Sequence, residues 1–158
     1  MFGLRRRIDR QRDGTYAIRL GDMERSLLAD LPGQLASLVE AEPDDPWLQR
    51  LFPTAYPKDP EREQEWRLLM SVDLHDKRRA QLQALAQSAG ATSLTEEELL
   101  VWTQALNDLR LYLGTRLEVG EETTTEDFDD EEDQRLFVLY EYLGYLLSEA
   151  IDALSGAL

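Results

Sequence analysis

Leucines recur along this chain at the spacing of helix faces. Leu27, Leu28, Leu31, Leu35 and Leu38 fall three and four residues apart, with Asp22 placed as an N-cap after Gly21. Pro32 and Gly33 sit inside that run and predict a kink or break, since an interior proline removes one ladder hydrogen bond and clashes one turn back. A second helix is expected from Pro60, a good first helical residue, to about Gly90. Its stripe of Trp66, Leu69, Met70, Leu74, Leu82 and Leu85 is loose, with a break expected near Asp73 to Asp76. Thr95 and Glu98 form a capping-box pattern ahead of a clean stripe, Leu99, Trp102, Leu106, Leu109, Leu113 and Leu117.

A last helix, roughly Glu132 to Ser155, carries a stripe of Leu136, Leu139, Tyr140, Leu143, Leu147, Ile151 and Leu154. Phe137, Val138, Tyr142, Tyr145 and Leu146 make the rest of its circumference apolar too. A helix apolar nearly all round is either central to a fold or half of a subunit interface.

Residues 4–20 show the other period, two. They read as a β-hairpin with Arg12, Asp13 and Gly14 at the turn, Gly14 being free to take positive φ. A three-residue loop pairs Ile8 with Ile18, Arg10 with Tyr16 and Arg6 with Leu20, gathering the apolar residues on one face and pointing Arg5, Arg7 and Arg19 to water. Residues 43–60 hold five prolines in eighteen positions, yet Trp47, Leu48, Leu51, Phe52 and Tyr56 suit a lid over the core better than a linker. The expected fold is mainly α: a bundle of four to five helices with an N-terminal β-hairpin. One domain over 1–158 divides into hairpin (1–20), helical body (21–117), acidic loop (118–132) and C-terminal helix (133–155).

Composition supports a packed domain. The 158 residues are 42% hydrophobic and 31% charged, and a chain of this length buries roughly 70% of its unfolded surface. The absence of cysteine removes disulfides, thiolate nucleophiles and thiolate metal sites, and His75 is the one imidazole. No stretch of about 18 apolar residues and no signal-peptide pattern occurs, so no membrane association and a cytoplasmic location are expected. The net charge of −15 opposes nucleic acid and anionic lipid.

Candidate chemistry is sparse. Asn107, Asp108 and Arg110 lie beside core positions and suit either a docking point for a partner or a packing role, with Arg110 bridging to Glu141 or Asp73. Arg5, Arg6, Arg7, Arg10 and Arg19 form a basic patch on a hairpin, a shape able to enter a DNA groove, although the patch could equally lie against the acidic run within the molecule. Residues 118–133 carry ten carboxylates and no base, which predicts an exposed, mobile loop, without the oxygen spacing and central glycine of an EF-hand. His75 lacks a second histidine or a nucleophile beside it and reads as a hydrogen-bonding residue. Trp47, Trp66 and Trp102 read as core or interface anchors. There is no phosphate loop, no acid/base dyad stands out, and neither enzymatic activity, metal nor cofactor is expected.

Leu106-Asn107-Asp108-Leu109-Arg110-Leu111, with Gly114 and Leu117-Glu118-Val119, resembles the signature helix of an uncharacterised actinobacterial family whose members are described as oxidative-stress transcriptional regulators of the AosR type. The resemblance extends to the leucine-rich first helix, to Leu51-Phe52-Pro53 with Tyr56, to Asp76-Lys77-Arg78 and to the final aromatic helix. It implies a regulatory role exerted through protein contacts, with sigma factors or promoter DNA as partners, and a gene position beside the Clp protease adaptor and a cysteine-biosynthesis cluster. Sensing by a cysteine pair does not carry over, because none is present. The expectation is a non-enzymatic regulator acting on a protein partner such as the transcription machinery, a homodimer formed partly by the last helix; the alternative is a DNA-binding regulator using the arginine hairpin.

Overall fold

In the computed structural model, β1 (Ile8–Arg10) and β2 (Tyr16–Ile18) form the expected antiparallel pair, with Ile8 opposite Ile18 and Arg10 opposite Tyr16. The structure describes residues 6–41 and 58–156, with backbone alone at 38–41 and 67–75. Arg12, Asp13 and Gly14 make the turn: the Gln11 amide donates to Thr15 O across it at 2.8 Å, and Gly14 adopts φ +87°. That register puts Ile8, Tyr16, Ile18 and Leu20 into the core together. A third strand, β3 (Ser93–Leu94), pairs with β2 so that Leu94 lies opposite Tyr16. Two residues are too few to show a period, and periodicity did not reveal this strand.

The first helix, α1 (Asp22–Ala41), is continuous through Pro32, contrary to the break expected there. Pro32 is buried on the face that carries Leu28 and Leu35, so its ring adds to the apolar contact that offsets the lost hydrogen bond. The helix begins one position earlier than expected, with Gly21 rather than Asp22 as its cap. Gly21 O accepts from the Arg25 amide, Glu24 Oε2 accepts from the Gly21 amide at 2.7 Å, and Asp22 is already helical.

The next helix, α2 (Pro60–Gln87), also has no break at Asp73 to Asp76, because an interior aspartate costs a helix only a few tenths of a kcal/mol. Asp59 caps it by accepting from the Arg62 amide. The capping box of α3 (Glu96–Arg116) is present as read, with Glu98 N to Thr95 Oγ1 at 3.2 Å and Thr95 N to Glu98 Oε1 at 2.9 Å. Its predicted stripe is buried throughout, Leu99, Trp102, Leu106, Leu109, Leu113 and Leu117. The helix ends in a Schellman-type turn: Val119 N donates to Gly114 O, Glu118 N donates to Thr115 O, and Glu118 takes the left-handed position at φ +53°.

The acidic segment is partly ordered by contacts that charge counting does not show. It contains a 3-10 turn (Thr125–Asp127) and is pinned by Phe128, whose ring lies 5.3 Å from that of Phe137 and whose carbonyl accepts from Gln134 Nε2. Most of its carboxylates are exposed, as expected. The final helix, α4 (Glu131–Leu154), starts two residues before the predicted 133.

Packing follows chain order, α1 on α2, α2 on α3 and α3 on α4, with β1 closing against α4. The core sits around Trp102 and the leucines of α3. The fold is mainly α, with one small three-stranded sheet at the N-terminal side.

Candidate functional site

The α3–α4 pair is locked by two reciprocal notches. Arg110 and Gly114 are one turn apart on α3, as are Tyr140 and Gly144 on α4. A Cβ on Gly114 would meet the Tyr140 ring at 2.9 Å, and a Cβ on Gly144 would meet Arg110 Nε at 3.3 Å. Each glycine therefore admits the large side chain of the other helix, and the pairing of 110 with 144 and 114 with 140 makes the helices antiparallel. Arg110 lies across α4 with its guanidinium 5.1 Å from the centre of the Tyr140 ring, within the range of a cation–π contact. It makes this contact rather than the expected bridge to Glu141; the side chain of Asp73 lies outside the described residues.

This arrangement floors an open groove of about 530 Å³ lined by Arg110, Tyr140, Glu141, Gly144, Tyr145 and Ile151, among others. Tyr145 is 73% exposed, Val138 54% and Ile151 49%. A second recess of about 490 Å³ continues along the same helix past Val138, Arg135 and Glu131. The buried side of α4 consists of Phe137, Leu143, Leu146, Leu147, Ala150 and Ala153. Ile151, placed in the core stripe by spacing, therefore faces out, while Phe137 and Leu146 face in.

Asp108, the second residue of the candidate triplet, is no docking point. It is buried between α2 and α3, pairs with Arg78, and leaves Oδ2 with no hydrogen-bond partner among the described residues. Burial raises its pKa to about 6, against the opposing pull of the Arg78 guanidinium. The folded state thus holds this proton more tightly than the unfolded chain does, and stability falls as pH rises from about 4 through about 6. We expect Asp108→Asn to remove that dependence. In urea unfolding, wild type should gain about 2 kcal/mol relative to the variant on going from pH 7.5 to 4.5; parallel pH profiles would refute the assignment. Asn107 is half-buried beside it.

Among the described residues, the arginine patch makes no ion pair with the acidic run. Arg7 binds Glu24 (Nε–Oε1 2.6 Å), and its backbone amide donates to Glu149 Oε1 at 2.9 Å, joining the hairpin to α1 and α4. The guanidinium also sits 6.0 Å from the centre of the Tyr142 ring. Burial and the neighbouring Glu24 carboxylate hold the Tyr142 phenol above its ordinary pKa, while the hydrogen bonds from Gly21 and Arg7 draw Glu24 downward against its own burial. Arg19 pairs with Asp9 at 2.7 Å. Arg10 lies close to Gly156, at the C-terminal end of α4, where a cation is favoured. Arg6 is exposed, and Arg5 lies outside the described residues. Arg7 thus holds the hairpin on the helices, while Arg19 is paired within the hairpin itself.

Among the described residues no three His, Cys, Asp or Glu side chains stand together as a metal-holding group. No described helix is long and apolar enough to cross a membrane. Trp102 is a core anchor and Trp66 is half-buried. The region of the predicted lid with Trp47, and the side chain of His75, lie outside the described residues. The residue that sequence reasoning missed is Arg25, whose guanidinium donates to Ile18 O, Leu20 O, Ala89 O and Ala91 O at 2.8–3.1 Å. A single arginine on a leucine helix gave no signal for it.

A family model described as a domain of unknown function, DUF2017, matches residues 5–154. A curated relative from Mycobacterium leprae (strain TN), named "Putative oxidative stress regulator AosR", is 37% identical over 94 residues, 49% of this chain and 43% of that protein. The match thus spans less than half of that relative's length. No solved structure matches the chain.

Proposed function

Because the chain belongs to the DUF2017 family, we propose that it is a non-enzymatic regulatory protein acting through protein contacts, as a homodimer joined along the outer face of α4. The observation that carries the reading is the exposure of Val138 and Tyr145, two turns apart on one side of that helix, with Ile151 exposed at the edge of the groove that Tyr145 lines. Large apolar side chains gathered along one strip mark an interaction site more often than scattered ones do. The name of the M. leprae relative supports a role in the response to oxidants. With no cysteine among its 158 residues, the chain takes its signal by contact with a partner from the transcription machinery rather than by thiol chemistry.

The experiment is complementation. In the host, deletion should alter the transcript response to peroxide, the wild-type gene should restore it, and Tyr145→Asp should fail to do so although its circular dichroism remains helical. A carboxylate at the centre of an apolar contact costs at least about 2 kcal/mol of association. Unchanged transcripts in the deletion strain, or full rescue by Tyr145→Asp, would overturn the proposal.

A further inference from the structure

The groove on α4 holds a cation and an anion that make no ion pair among the described residues. Arg110 is fixed by its stacking on Tyr140 and its fit over Gly144, yet among the described residues it has no carboxylate partner. Glu141 lines the same groove, is exposed, and makes no ion pair with Arg110 in the same chain. Beside them Tyr145 and Ile151 present apolar surface. A guanidinium already ordered by packing loses little freedom when it meets a carboxylate, and its planar fork suits that partner.

A patch that holds both members of a charge pair, neither ion-paired among the described residues, is complementary to a copy of itself. In a two-fold interface a contact from one residue to a second is repeated in reverse, so both charges are satisfied twice. Resting on the homodimer reading above, we infer that the groove is an isologous interface in which Arg110 of each chain meets Glu141 of a second copy, with Tyr145 and Ile151 packed between the two pairs.

The test is a pair of charge reversals read by sedimentation velocity on the full chain. Arg110→Glu sets carboxylates against carboxylates at both pairs, and Glu141→Arg sets guanidinium groups against each other. Each variant alone should weaken dimerisation by at least about tenfold. An equimolar mixture of the two should form a heterodimer, because each variant then faces the opposite charge. Glu141 is on the exposed side of α4, so its reversal leaves the core alone and keeps the test valid if Arg110→Glu folds poorly. Dimeric wild type, weakened single variants and a recovered mixture support the inference. A dimeric wild type indifferent to Glu141→Arg overturns the pairing while leaving the homodimer reading in place. A wild type that stays monomeric at micromolar concentration overturns both.

Discussion

Trp102→Ala should destabilise the protein by about 3–5 kcal/mol, the cost of truncating a large aromatic side chain in a packed core. Trp102 is 1% exposed and lies among Leu85, Leu99 and Leu106 of the central cluster. Its indole nitrogen is also satisfied: Nε1 donates to Ser88 Oγ at 2.7 Å, and that hydroxyl donates in turn to Ala84 O at 2.6 Å. The ring therefore ties α3 to the end of α2 by a polar relay as well as by burial. With total stability of a domain near 5–15 kcal/mol, the variant should be marginal or unfolded at physiological temperature. Trp102→Phe should cost less, about 1–3 kcal/mol, by losing the relay and part of the ring. Urea denaturation followed by circular dichroism measures both. An alanine variant within about 1 kcal/mol of wild type would show that the site collapses without loss and that the assigned core is wrong.

Arg25→Met should cost about 3 kcal/mol, a large effect for a residue that packing patterns ignore. Its three guanidinium nitrogens donate to four backbone carbonyls, two at the end of β2 and two where α2 gives way to β3. Hydrogen bonds from a charged donor contribute roughly 1.5–3 kcal/mol each when made, but these share one side chain and the site is partly open, so they do not sum. The cation also sits beside Ala89, where the carbonyl ends of the α2 dipoles favour positive charge. Methionine keeps the apolar stem and leaves the carbonyls to water. Arg25→Lys keeps the charge but not the fork, and should recover no more than about half of the loss. Equal stability of Arg25→Met and wild type in urea titrations would remove Arg25 as the clasp between hairpin and helices.

The candidate site was legible in outline only. Asn107, Asp108 and Arg110 stood out because polar residues interrupt a leucine stripe, but the pattern could not assign their roles. Asp108 turns inward to Arg78, while Arg110 crosses to Tyr140 and floors the groove. Gly114 and Gly144 are the signal that could have found that groove, each one turn after a large side chain on helices that pack antiparallel. Their meaning depends on knowing that the two helices face each other.

What the residues determined alone is local. Period-two alternation and Gly14 fixed the hairpin register, and Thr95 with Glu98 fixed the start of α3, because backbone preference and hydrogen bonding within a few residues decide such features. The stripe of α3 was equally plain, since only one side of that helix is apolar enough to bury. Tertiary structure decided the rest. On α4 two apolar faces competed, and only packing against α3 and β1 chose Phe137, Leu146 and Ala150 for the core and left Tyr145 and Ile151 outside. Likewise Pro32 stays within a helix, and Arg7 joins Glu24 and Glu149, because burial and contacts between residues distant in sequence outweigh local propensity once the helices assemble.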